Sequence, residues 1–200
     1  MGYAEDLKSG SWRRQVWIAY QLRHFGVEAY EYIPLLLEVS RNADRGKLIL
    51  SWADSQLLNA AGYTMGMTLS AVGLDESNPL HCEVRDWLLL LTHESNPEVV
   101  AGAIYALGAI ESASQSICER LCEIAGSERR PYDHPIVTAR ALALRVLGQL
   151  NPYAAIGYAN TEAAAEYLNC IEHWLAHTDA KRVDALKDQL AEESVWLRRD

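Results

Sequence analysis

Phenylalanine occurs once in this 200-residue chain and cysteine four times. Four thiols (Cys82, Cys118, Cys122 and Cys170) are too sparse to frame a small disulfide-bonded fold, so reduced thiols in a cytoplasmic protein are expected. Positive charge is also scarce. Eighteen Lys and Arg stand against 27 Asp and Glu, for a formal charge of -9. That balance disfavours nucleic acid as the main partner, because phosphate binding needs a basic surface. Residues 51–130 deepen the deficit, with four basic side chains against eleven acidic ones, while residues 1–50 hold seven against six. A solvated carboxylate surface is the commoner use of such an excess, and a basic protein partner is the other. Long apolar runs are missing. The uncharged stretch from Gln56 to Leu74 carries Asn59, Thr64, Thr68 and Ser70, which fits a buried helix and not a membrane span. The N-terminus, MGYAEDLKSGSW, has no apolar leader segment, and Asp6 stands where a myristoylation signal needs Ser or Thr. No GxSxG, P-loop or GxGxxG occurs, and no Cys–His–Asn or Ser–His–Asp arrangement follows from spacing. No catalytic residue and no cofactor is therefore expected.

What the chain does have is a recurring helix. In SNPEVVAGAIYALGAIES (residues 95–112), Ser95 followed by Glu98 reads as a capping box, with Pro97 in the first turn. Val100, Ala103, Ile104 and Leu107 then repeat at helical spacing. PIVTARALALRVLGQL (residues 135–150) also opens with proline and ends in Leu-Gly. IAYQLRHFG and WADSQLLNAAG offer earlier and looser versions. The glycines at 26, 62, 108 and 148 are spaced 36, 46 and 40 apart. A second apolar helix follows in EAYEYIPLLLEVS, ICERLCEIAG and TEAAAEYLNCIEHWLAH. Two helices per period of about forty residues predict stacked pairs, since one pair alone cannot bury both of its apolar faces.

NPEVVAGAIYALGAIES and PIVTARALALRVLGQL, with RRQVWIAYQLRHFG as a first unit, resemble the HEAT-repeat family. Its members favour Asp/Asn-Pro-x-Val-Arg before an Ala-rich helix ending Ala-Leu-Gly. Here Val100 replaces the usual Arg, and the later unit has Thr138. The resemblance implies an all-α fold, an α-α superhelix or HEAT-like solenoid of about ten helices in a single domain over residues 1–200. Its repeat-like units would be 11–44, 45–94, 95–130 and 131–178, with a C-terminal helix at 179–197. It also implies a protein-binding or scaffold role: an adaptor, an assembly factor or an immunity-type antidote, with a protein partner of basic character and neither nucleic acid nor membrane.

A second resemblance, to heme-oxygenase-like diiron oxidases, rests on YEYIPLLLEVSRNAD, LSAVGLD and WLLLL. It implies a helical bundle, either a non-heme iron oxidase with an atypical site or a binder of an apolar ligand in a former pocket. The ligand positions of that family would fall at Asp54 and Thr64 and at Tyr158, Glu162 and Ala165, where no histidine stands. Iron–oxygen chemistry normally needs imidazole beside carboxylate. His173 and His177 share a helix face as zinc ligands can, but no third ligand is evident nearby. Cys118 and Cys122, also four apart, suit buried thiols between helices better than metal. No metal site is expected.

Two features point to binding. Six tryptophans stand at 12, 17, 52, 87, 174 and 196. Trp12 and Trp196 lie near the termini, where repeat arrays carry atypical caps. Trp17, Trp52 and Trp87 are expected to fill the core. The segment GSERRPYDHP is long for a helical-repeat loop and sets Arg129, Arg130 and Tyr132 inside an acidic region. These three form the expected partner site, since guanidinium forks beside an aromatic face suit protein recognition.

Overall fold

A computed structural model describes residues 2–44, 51–110, 114–128, 137–179 and 182–193. The chain is all-α, and no strand occurs among the described residues. It divides into two compact units, Met1–Glu111 and Ser112–Asp200. None of the described helices is long and apolar enough to cross a membrane.

The first unit is built around one buried helix. α1 (Tyr3–Ser9) and α2 (Trp12–Leu22) lead into a 3₁₀ segment, Arg23–Tyr32, then α3 (Ile33–Asp44), α4 (Trp52–Val72), α5 (Pro79–Leu91) and α6 (Pro97–Ala109). α4 buries Leu57, Leu58, Ala60, Ala61, Met65 and Leu69 together with Gly62, Thr64, Gly66 and Thr68. Small and apolar residues over most of its surface let neighbours close around it, and solvent reaches it mainly at its two ends and at Met67. α2 packs on one flank and α6 on the other, while α3 and the 3₁₀ segment complete the cover and α5 packs against both α4 and α6. Hydrogen bonds fix the register. Thr64 Oγ1 donates to the Ala19 carbonyl at 2.6 Å. Asn96 Nδ2 donates to Ser55 Oγ at 2.9 Å and Gln56 Nε2 to Glu98 Oε2 at 2.8 Å, which ties the start of α6 to α4.

The expected helix starts hold with local shifts. α6 is capped by Asn96, whose side chain accepts from the Glu98 N–H, and not by Ser95; Pro97 is its first residue. The helix Ala139–Leu150 starts behind Thr138, whose hydroxyl accepts from Ala141 N, and the proline at 135 lies outside the described residues. The glycine spacing also changes meaning. Gly26, at φ 54, breaks the 3₁₀ segment in a left-handed conformation, where a Cβ would be strained. Gly62 instead lies mid-helix, and α4 runs on to a cap at Gly73. At Gly66 the demand is for space: an added Cβ would come within 2.6 Å of the Ala106 Cβ and 2.7 Å of its Cα. The α4–α6 seam closes on that missing side chain.

A polar lock joins the 3₁₀ segment to α5. The Asp75 N–H donates to His81 Nδ1 at 2.9 Å, so the ring proton sits on Nε2 and is donated to Tyr30 Oη at 3.0 Å. Asn78, the cap of α5, donates to the same phenol at 3.1 Å.

In the second unit α8 (Ala139–Leu150) takes the central place. α7 (Gln115–Gly126), α9 (Pro152–Ile156), α10 (Glu162–His177) and α11 (Val183–Glu193) pack on it. Arg140, only 8% exposed, organises the joint. It pairs with the Glu166 carboxylate through Nη2 and Nε, donates to the Ser127 carbonyl at 3.2 Å and lies 3.6 Å from Glu162. Thr138 Oγ1 donates to the same Glu166 at 2.6 Å. The hydrogen bond to Glu166 raises the guanidinium above its ordinary range.

Candidate functional site

Recognition surfaces on helical proteins form where large side chains are left outside the packed face. The start of the first unit has such a place. α2 turns Ile18, Ala19 and Leu22 inward, and the opposite side carries Trp17, 45% exposed. Trp52, the first residue of α4, stands 65% exposed. Its ring meets Trp12 edge-on, with centroids 5.1 Å apart. The Arg13 guanidinium lies over Trp12 at 5.2 Å and Arg14 over Trp17 at 4.6 Å, Arg14 also pairing with Asp6 at 3.0 Å. Trp17 and Trp52 were expected in the core and are not there. Trp87 is, at 6% exposure. Helical periodicity alone places a residue on one side of a helix, but which sides are covered depends on neighbours the local sequence does not name.

Trp12 also lines a cavity of about 460 Å³ among α1–α4, with Lys8, Glu38, Asn42, Asp54 and Leu57. Asp54 there belongs to the α4 capping box, accepting from Ser51 N at 3.2 Å. A shallower groove of about 600 Å³ runs between α3 and α5 past Arg41, Glu83, Trp87 and Leu90. Arg41 bridges it, 2.6 Å from Glu83 and over the Trp87 ring. The Trp87 indole N–H is buried without an acceptor.

The second unit has a groove of about 740 Å³ between α7 and the α9 region, lined by Gln115, Cys118, Glu119, Cys122, Glu123 and Tyr158, with Asn151 at its end. Tyr158 Oη donates to the Cys122 carbonyl at 2.8 Å, which fixes the ring as a wall. Burial raises the Cys118 thiol above its ordinary range, helped by Cys122 beside it. Burial likewise pushes Cys170 up to about 11. Both thiols are protonated at neutral pH, and nucleophilic chemistry needs the thiolate.

Arg129, Arg130 and Tyr132 lie outside the described residues, as does Trp196. Of the positions compared with iron ligands, Thr64 spends its hydroxyl on Ala19, and Glu162 projects from the start of α10 with its side chain 88% exposed. His177 Nδ1 donates to the His173 carbonyl at 2.8 Å, so that nitrogen serves the helix end. Among the described residues no three His, Cys, Asp or Glu side chains converge as a metal site. The exposed tryptophans and the buried Arg140 carry no signature in the sequence beyond their residue types. No protein-family model matches the chain, and no curated protein matches it either.

Proposed function

We propose that this chain is a protein-binding module of stacked helix pairs, HEAT-like in design, whose first unit presents Trp12, Trp17 and Trp52 to a partner protein. The exposure of Trp17 and Trp52 carries the reading. An indole left in water forgoes about 2 kcal/mol or more of burial, and tryptophan is the side chain most enriched among interface residues that dominate affinity. The packing of α2 on α4 and of α4 on α6 in the first unit is compatible with the repeat design, with α3, α5 and the 3₁₀ segment also set against α4. Repeat arrays use extended surfaces of this kind for binding. The segment with Arg129, Arg130 and Tyr132 is proposed as a second contact, tested by Arg129→Ala with Arg130→Ala.

The deciding experiment starts with capture of partners from the native lysate and identification by mass spectrometry. The partner is then purified and titrated against wild type and Trp17→Ala/Trp52→Ala. The double variant should keep its helical spectrum and lose at least about 30-fold in affinity, the effect of one hot-spot side chain. Equal affinity of the two proteins for that partner would remove the tryptophan face from the proposal.

A further inference from the structure

We infer that the groove between α7 and α9 seats a lysine or arginine side chain from a basic segment of the partner protein. The inference rests on the protein-binding reading but uses a different surface from the tryptophan face.

The groove has two levels. Its rim carries Glu119 and Glu123, on successive turns of α7, and among the described residues no lysine or arginine lines it. Like charges four apart repel and cost a helix a few tenths of a kcal/mol, a cost that a cation between them would relieve. Among the described residues each carboxylate has one donor, Gln115 Nε2 to Glu119 at 2.7 Å and Arg120 Nη1 to Glu123 at 2.8 Å. A carboxylate accepts about four hydrogen bonds, so both retain capacity. Arg120 is itself laid down, its side chain 16% exposed against 64% for Glu123.

The floor is different in kind. It is made of the Cys118 and Cys122 thiols and the fixed Tyr158 ring. The ring face attracts cations, and thiols behave as small hydrophobes. A long side chain with an apolar stem and a cationic head matches both levels at once, its methylenes on the floor and its charge between the carboxylates. About 740 Å³ leaves room for that side chain and adjoining backbone. An acidic segment would meet repulsion at the rim. An apolar one would strip water from two carboxylates without replacing it.

The test uses the full chain and a fluorescein-labelled hexapeptide of alternating arginine and glycine, read by anisotropy at low salt and by amide NMR shifts. Saturable binding is expected, with shifts confined to residues 115–123, 151 and 158. Glu119→Gln/Glu123→Gln should weaken it by about ten-fold or more, the scale of losing close charge pairs. Glu5→Gln/Glu172→Gln removes the same net charge from exposed sites elsewhere and should change it less than about two-fold. Equal loss in both double variants, equal binding of a glutamate–glycine peptide, shifts centred on other residues, or no saturation at millimolar peptide would each overturn the inference. Trp17→Ala/Trp52→Ala should bind the peptide like wild type. If the groove variants fail to alter peptide binding while the tryptophan variant still loses the captured partner, this inference falls and the module reading stands. If no partner depends on the tryptophans while the peptide seats here, the tryptophan face falls and this inference stands.

Discussion

Removing Arg140 would take from Glu166, with a side chain only 16% exposed, the guanidinium that it holds in the joint between α8 and α10. Breaking a buried pair from one side typically costs about 3–5 kcal/mol, whereas replacing both partners with apolar groups is often neutral. Arg140→Met should therefore lower the urea midpoint sharply, and Arg140→Met/Glu166→Met should recover most of the loss. Cys170 makes a pH prediction. Its thiol is fully buried and held at about 11 against an ordinary 9.0. The unfolded chain releases that proton as pH passes 9, and the folded chain does so only near 11. Between these values the unfolded state binds fewer protons, so stability falls as pH rises, by something on the order of 2 kcal/mol in all. Below pH 9 both states hold the proton and Cys170 contributes no slope. Urea midpoints at pH 7, 9 and 10.5 should drop across the last interval for wild type and drop less for Cys170→Ala.

At the scale of elements, the α4–α6 seam separates two glycines that look alike in sequence. Glycine in a helix gives up about 1 kcal/mol relative to alanine, so alanine should stabilise wherever it fits. At Gly66 the new Cβ meets the backbone of Ala106, which cannot step aside. At Gly102 it meets Oδ1 of Asn59, the end of a side chain that can rotate. Gly66→Ala should destabilise by about 1–3 kcal/mol through overpacking, while Gly102→Ala should be close to neutral; thermal melts of the two single variants compare them directly. Helix existence was legible in the sequence because its causes are local: Pro97 and the apolar spacing of Val100, Ala103, Ile104 and Leu107 mark a helix within a few residues of themselves, although the cap is Asn96 and not Ser95. The short α9, the break at Gly26 and the length of α4 were not. Each is decided by what lies across from it, and a glycine reads the same whether it ends a helix or makes room inside one.

For the whole molecule, the net charge of -9 is a property every residue shares in. It makes copies repel one another near neutral pH, and solubility should be lowest around the isoelectric point of about 5.1; turbidity against pH measures this. The all-α class followed from periodicity, since no stretch of the chain alternates as a strand does. The candidate surfaces followed far less. Trp17 and Trp52 have the composition of core residues and lie outside it, and the groove below Tyr158 depends on a hydrogen bond between residues 36 apart. The burial of α4 has one more consequence, for synthesis. α4 leaves the ribosome with α2 and α3 already available, but its Gly66 flank waits for Ala106, forty residues later. A nascent chain paused before α6 therefore presents a bare apolar stripe, and this interval is when a chaperone would find the most to hold.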